Sequence, residues 1–166
     1  MRFLSTFVAF AAVAVVQTTL AIDLSRGFSD KIAWVHGLDK AKELAREEDK
    51  PIVALIHKTW CGACKALKKD FQAGGAGVDK VVQLSKNYVM VNLEDDESEG
   101  KKELEPEGAG YIPRVVFFDS QGNARSDIKS GANPAYAYFY PNAASLGDAM
   151  ESALGKLKSS ARASEL

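Results

Sequence analysis

Two cysteines, Cys61 and Cys64, are the only cysteines of this 166-residue chain, and they stand three positions apart in the stretch Trp-Cys-Gly-Ala-Cys. An apolar run of strand length, residues 52–56, precedes them, and residues 65–71 follow with helical spacing. Such a pair between a strand and a helix predicts a dithiol redox centre. The reason is that the partial positive charge at a helix N-terminus favours the reactive thiolate.

Two other roles for the pair remain open at this point. A structural disulfide across so small a loop would stabilise the fold little, because the gain in stability grows with loop length. Zinc could be held by both cysteines with His36 and His57, although these histidines lack the paired spacing of known zinc sites. Haem attachment is excluded because Lys65, not histidine, follows Cys64. A working disulfide is therefore favoured.

The first 21 residues differ from the rest of the chain. Arg2 gives a short basic start, residues 3–16 are apolar apart from two hydroxyl residues, and residues 19–21 resemble a cleavage site. We interpret residues 1–21 as a secretory signal peptide and residues 22–166 as one mature domain with a short tail. An uncleaved membrane anchor is disfavoured, because the apolar run is shorter than the about 20 residues that span a membrane. The mature protein is then expected to be soluble and free of the membrane.

The net charge and the spacing of apolar residues indicate the main type of partner and the fold class. The formal net charge of −1 argues against nucleic acid as the main partner. Helices are predicted over 38–49, 65–71 and 78–84 and after a cap at Ser145, and strands over 52–56, 88–93 and 115–118, with 124–128 as an antiparallel hairpin partner. Residues 32–35 are read as a short edge strand or a turn, and the glycine-rich residues 72–77 as a flexible loop. This order predicts an α/β fold with a central mixed sheet flanked by helices.

An acidic run, residues 94–99, follows the predicted strand 88–93. A solvated loop is the favoured interpretation. Calcium binding is the alternative, but the ligand spacing of a twelve-residue calcium loop is missing.

The motifs now described carry a family resemblance. Trp60 to Cys64 after a buried strand, with Ile112-Pro113 before a later one, resembles the thioredoxin fold. More narrowly, essentially the whole mature chain resembles the endoplasmic-reticulum proteins of the thioredoxin domain-containing protein 12 group, related to the anterior-gradient proteins. The stretches that carry this resemblance are residues 56–68, 89–95, 110–114 and 133–140. It implies a luminal thiol–disulfide oxidoreductase acting on protein thiols, with no bound cofactor and with glutathione as a redox partner.

The resemblance also implies roles for single residues. Cys61 would be the nucleophile and Cys64 the resolving cysteine of a redox-active disulfide. Trp60 would shield the sulfurs and contact substrate, with core packing as the alternative. Pro113 would follow a cis peptide bond and present the backbone of Ile112 to an extended client, with an ordinary trans bond as the alternative.

Other residues near the motif leave two interpretations open. His57 and Lys58 either point at the nucleophile and lower its pKa, or are solvated strand-end residues that tune the local field. The aromatic segment with Tyr136 and residues 138–140 either binds clients or packs in the core.

Two positions depart from the family patterns. Thioredoxins carry a buried acid six residues before the first active-site cysteine, and this chain has Leu55 there. We therefore expect slower resolution by Cys64, or a substitute base such as Glu94 or a water. The chain ends in residues 163–166, Ala-Ser-Glu-Leu, which match the retrieval signal Lys-Asp-Glu-Leu only in the last two positions. This predicts residence in the endoplasmic reticulum lumen with partial secretion. The competing function is a chaperone-like client-binding module with weak redox activity.

Overall fold

A mixed sheet forms the centre of the fold. The computed structural model describes residues 22–163 except Ala109 and Ala132. Its strands are β1 (Trp34–Val35), β2 (Ile52–His57), β3 (Val89–Glu94) and β4 (Arg114–Phe118), in the order β1-β3-β2-β4. β2 is central because it pairs in parallel with β3 and antiparallel with β4. The predicted central mixed sheet and the short edge strand are confirmed.

Helices cover both faces of this sheet. They are α1 (Leu38–Glu48), α2 (Gly62–Ala73), α3 (Ala76–Ser85) and α4 (Ala143–Ala163), with short 3-10 turns at Asp95–Ser98, Lys102–Leu104 and Pro134–Tyr136. Residues of α1 pack on one face of the sheet, and residues of α2, α3 and α4 pack on the other. Every residue of β2 is buried, which is why this strand shows no alternation of apolar and polar residues.

Two local predictions are wrong at helix ends. The predicted loop 72–77 is reduced to Gly74 and Gly75, because α2 continues to residue 73 and α3 begins at residue 76. Both glycines have positive φ angles, 74° and 98°, so this sharp reversal suits residues without a Cβ. The cap of α4 is Asn142 rather than Ser145, because the Asn142 Oδ1 accepts the Ser145 N–H at 2.8 Å.

The predicted hairpin partner of β4 is confirmed only at its start. Residues 124–128 form no strand, but Ala124 makes an antiparallel bridge with Phe118, and the Arg125 N–H donates to the Phe117 carbonyl at 2.8 Å. The Val115 N–H instead donates to the Tyr138 carbonyl at 2.9 Å. The aromatic segment therefore takes the Val115 end of this edge of β4, where the rest of a hairpin strand would have paired.

Among the described residues, no helix is both long and apolar enough to cross a membrane. The predicted signal peptide and residues 164–166 of the predicted retrieval signal lie outside the described residues.

Candidate active site

The cysteine pair lies where β2 leads into α2. Cys61 is the N-cap of α2, and its Sγ accepts the Cys64 N–H at 3.1 Å. The two residues form a disulfide with Cα atoms 5.2 Å apart. Cys61 is 7% exposed and Cys64 is 1% exposed. Cys61 is therefore the more accessible of the two cysteines, whereas Cys64 is enclosed one helical turn further along α2.

The surface around Cys61 is made by two separate parts of the chain. Trp60 is 71% exposed, which excludes the alternative that it packs in the core. The Ile112 carbonyl oxygen lies 3.7 Å from the Cys61 Sγ, and the peptide bond between Ile112 and Pro113 is cis, as the resemblance implies. The structure therefore brings Trp60, Ile112 and Pro113 together at the outer sulfur.

An open groove of about 500 Å³ begins at this surface. Its apolar lining comes from Trp60, Ile112, Ile56 and Leu104, and charged side chains such as Glu99 complete it. The groove is large enough for several residues of an extended chain, and one end of it is the indole next to Cys61.

Lys58 points to the acidic loop and anchors it. The Lys58 Nζ donates to the Asp95 carbonyl and lies 3.8 Å from the Glu99 carboxylate. The Asp95 carboxylate accepts the Thr59 N–H at 2.9 Å, and this hydrogen bond lowers the pKa of Asp95. The acidic run is thus tied to the residues just before Cys61.

His57 is fully buried, so the interpretation of a solvated strand end is wrong for this residue. Its Nε2 is 2.7 Å from the Asn92 Oδ1, and its Nδ1 is 3.6 Å from the Glu94 carboxylate without a hydrogen-bond partner. Burial lowers the pKa of His57, against the smaller raising effects of Asn92 and Glu94. The imidazole is therefore neutral near pH 7.

Leu55 stands six residues before Cys61, where thioredoxins carry a buried acid, so this position supplies no carboxylate beneath the cysteine pair. Its side chain is buried in the apolar cluster that also contains Leu67 and Phe71 of α2. Glu94, the predicted substitute base, lies between His57 and Lys68, with its carboxylate 3.7 Å from the Lys68 Nζ. The polar side chains on this face of the sheet, His57, Asn92 and Glu94, therefore belong to the end of β2 and to β3.

The aromatic segment divides between core and surface. Tyr138 and Tyr140 are buried, whereas Tyr136 is exposed and packs edge-on against the Tyr111 ring, with centroids 5.2 Å apart. Of the three tyrosines in this segment, only Tyr136 is exposed to solvent.

Sequence reasoning missed two buried polar residues, Asn92 and Arg114. Asn92 fixes the imidazole of His57, and Arg114 donates to the carbonyls of Tyr111 and Leu104 at 2.8 and 3.1 Å. The signal that could have found them is a polar residue inside a strand that is otherwise apolar and buried.

Comparison with known proteins agrees with this geometry. A profile of the thioredoxin-like family matches residues 33–120. The chain is 33% identical over 138 residues to anterior gradient protein 3 of Mus musculus, which covers 82% of this chain and 79% of that protein. It is also 33% identical over 136 residues to the anterior gradient protein 2 homolog of Homo sapiens, covering 81% and 74%.

Solved structures give more distant similarities. A disulphide isomerase from Xylella fastidiosa has a TM-score of 0.39 and 22% identity, with 53% of this chain and 67% of that chain covered. The thioredoxin Deadhead of Drosophila melanogaster has a TM-score of 0.40 and 25% identity, covering 57% and 83%. The family assignment therefore rests on the sequence matches and on the sheet that they span. The chain belongs to the thioredoxin-like family and, within it, to the anterior gradient proteins.

Proposed function

We propose that this protein is a thiol–disulfide oxidoreductase that exchanges disulfides with the cysteines of client proteins in the lumen of the secretory pathway. The observation that carries the proposal is the position of Cys61. Its sulfur lies at the N-terminus of α2, where it accepts the Cys64 N–H at 3.1 Å. A hydrogen bond and a helix N-terminus both favour a thiolate, which is the attacking species in disulfide exchange.

The exchange requires two steps. In the reduced protein the Cys61 thiolate attacks a client disulfide, so that a mixed disulfide forms and one client thiolate leaves. Cys64 then attacks the Cys61 sulfur, which closes the protein disulfide and releases the second client thiolate. The reverse sequence donates the disulfide to a reduced client.

Client binding is proposed for the surface next to Cys61. An extended peptide can pair with the backbone of Ile112, whose carbonyl lies at the outer sulfur. The exposed indole of Trp60 gives apolar contact area, and the groove beside it accepts the rest of the peptide. No bound cofactor is needed for this chemistry, and glutathione is the proposed small-molecule redox partner that reaches Cys61.

The proposed lumenal location rests on the sequence. Residues 1–21 have the pattern of a secretory signal peptide, and residues 163–166 resemble a retrieval signal in their last two positions. Partial retrieval and partial secretion are therefore both part of the proposal.

Trapping of the mixed disulfide tests the activity. Cys64→Ala removes the resolving thiol, so we expect client adducts that persist on a non-reducing gel and disappear with reductant. Cys61→Ala, the matched control, should form none. Equal adduct formation by both variants would contradict the assignment of Cys61 as the nucleophile.

The reduction potential of the pair in glutathione buffer tests the lumenal role. A value between about −180 and −210 mV would allow the pair to cycle at the poise of that compartment. A value below about −300 mV would mean a disulfide that glutathione does not open, and the redox proposal would then be wrong.

A client-binding module with weak redox activity is the second candidate. The exposed aromatic side chains of Trp60, next to Cys61, and of Tyr136 favour it. If a Cys61→Ala/Cys64→Ala double variant protected a denatured client from aggregation as well as the unsubstituted protein, binding alone would account for the function. Loss of all protection in that variant would favour the oxidoreductase.

A further inference from the structure

The neighbours of the buried His57 fix which of its ring nitrogens carries the proton. Asn92 Nδ2 donates to the carbonyls of Leu24 and Ser25 at 3.2 and 2.9 Å, so its Oδ1 must be the atom that faces His57. An amide oxygen only accepts, and therefore His57 Nε2, 2.7 Å away, carries the hydrogen. In the neutral ring Nδ1 is then a bare lone pair, inside the protein and without a hydrogen-bond partner.

Charged groups from four segments of the chain surround this ring. Glu94 of β3 lies 3.6 Å from Nδ1, and Lys68 of α2 lies 3.7 Å from the same Glu94 oxygen. Arg26, before β1, and Asp95, in the 3-10 turn after β3, also interact with the ring electrostatically. The Glu94 carboxylate repels a lone pair but attracts an N–H. Protonation at Nδ1 would therefore convert an unfavourable contact into a charge-assisted hydrogen bond. The groups around His57 therefore favour the addition of one proton at Nδ1.

Cys64 shares the buried face of α2 with Leu67 and Phe71, and this face packs on the side of the sheet to which His57 points. His57 is the last residue of β2, and it lies on the face of the sheet that α2 covers. Phe28 links the two elements, because its ring centroid is 4.8 Å from that of His57 and 5.5 Å from that of Phe71 in α2. Cys64 is in the first turn of α2, one turn before Lys68, and is also buried. A thiol in this position needs a buried acceptor for its proton before it can attack.

We propose that His57 Nδ1 is the base that takes the proton of Cys64 when Cys64 resolves the mixed disulfide, with Glu94 stabilising the imidazolium. This inference rests on the proposed disulfide exchange. The Cys64 S–H bond breaks and its proton passes to Nδ1 while the sulfur attacks Cys61, and the bond between Cys61 and the client sulfur breaks. Two protein thiols become a disulfide, the client disulfide becomes two thiols, and His57 returns its proton to the departing thiolate or to solvent.

The test separates the two steps with 5,5′-dithiobis(2-nitrobenzoate) as the disulfide and the full mature chain in its reduced form. The first coloured thiolate is released by Cys61, and the second is released by Cys64. The measured quantity is the ratio of the second rate to the first, which also corrects for partial loss of folded protein. Cys64→Ala identifies the second phase, because it should abolish that phase.

His57→Gln is the decisive variant, because glutamine can still donate to Asn92 but offers no base. We expect the ratio to fall about 100-fold at pH 7. We also expect the second rate to rise about tenfold per pH unit in this variant, where the unsubstituted protein shows little change above neutral pH. His36→Gln makes the same substitution at an exposed histidine and should leave both quantities unchanged.

Four other outcomes are decisive. A ratio and pH profile for His57→Gln that match those of His36→Gln would overturn the inference. If His57→Gln does not fold, Glu94→Gln decides: a lowered ratio with a second rate that stays nearly constant above neutral pH supports the inference. An unchanged ratio, or a second rate that rises about tenfold per pH unit, overturns it. If Glu94→Gln lowers the ratio more than His57→Gln does, Glu94 itself is the base. Absence of any second release in the unsubstituted protein would instead refute the proposed exchange itself.

Discussion

A buried arginine holds the segment that carries Ile112 and Pro113. Arg114 is 2% exposed, and its guanidinium donates to the carbonyls of Tyr111 and Leu104. The same guanidinium lies 4.9 Å from the centroid of the Tyr111 ring. One side chain thus joins the segment of Ile112 and Pro113 to the turn of Leu104, and both Ile112 and Leu104 line the groove next to Cys61.

Arg114→Met should lower the free energy of unfolding by about 2–4 kcal/mol, because it leaves buried carbonyls without donors. Urea unfolding measures this loss. Arg46→Met is the matched control, since Arg46 is exposed in the last turn of α1, and it should change the free energy by less than about 0.5 kcal/mol. Equal effects of the two substitutions would show that the buried hydrogen bonds of Arg114 do not stabilise the fold.

Residue roles are predictable from sequence only where they depend on neighbours along the chain. The spacing of Cys61 and Cys64, and their place at a helix start, follow from local pattern. The environment of His57 does not, because its partner Asn92 is 35 positions away and is brought close only by the pairing of β2 with β3. The same reason explains why Lys58 contacts the acidic loop rather than the nucleophile.

At the level of elements, the close approach of α3 and α4 depends on a glycine. A Cβ built on Gly77 would lie 2.8 Å from the Ala144 nitrogen and 3.0 Å from its Cα, both backbone atoms that cannot rotate away. Gly155, in contrast, is an exposed position of α4, and a Cβ built there has nothing within 4 Å. Replacement of glycine by alanine is therefore expected to destabilise the protein at Gly77 and to stabilise it at Gly155.

Gly77→Ala should destabilise the protein by about 1–3 kcal/mol, because α3 must move away from α4. Gly155→Ala should stabilise it by about 0.5–1 kcal/mol, because alanine loses less conformational freedom than glycine in a helix. Thermal or urea unfolding of both variants checks the signs. A stabilising Gly77→Ala would mean that the helices adjust without cost at this contact.

Elements were predictable where a single period dominates the pattern. β2 was predictable because both of its faces are buried and it is uniformly apolar. α1 and α2 were predictable because their apolar residues recur every 3.6 residues on the one face that is buried. The extent of the hairpin partner of β4 could not be predicted, because only Ala124 and Arg125 of the next segment pair with β4, and Tyr138 pairs with Val115 instead. A turn signal such as residues 119–123 predicts a reversal of the chain, but not which segment then pairs.

On the scale of the whole molecule, residues 22–33, the lead-in before β1, are attached to the C-terminal end of β3. Arg26 forms a two-point ion pair with Glu97, one contact of which is 2.6 Å, and also donates to the Asn92 carbonyl at 3.0 Å. Phe28 is fully buried between His57 and α2. The lead-in therefore closes the layer in which the proposed proton transfer takes place.

This fastening should depend on pH. The hydrogen bond with Arg26 lowers the pKa of Glu97 below its ordinary value of 4.5. A carboxyl whose pKa is lower in the folded state stabilises fully above its unfolded value, and that contribution is lost as the pH falls through the folded pKa. Glu97→Gln keeps an acceptor for the Glu94 N–H but removes the charge, so it should cost about 1–2 kcal/mol at pH 7.

Urea unfolding of both proteins at several pH values measures the difference. It should be constant above about pH 5.5 and shrink below about pH 4.5, because protonation of Glu97 in the unsubstituted protein removes the same charge. Glu43→Gln is the control, since Glu43 forms an exposed pair with Lys40 and should cost less than about 0.5 kcal/mol at any pH. A Glu97→Gln difference that stays constant down to acid pH would show that the charge of Glu97 is not what stabilises this contact.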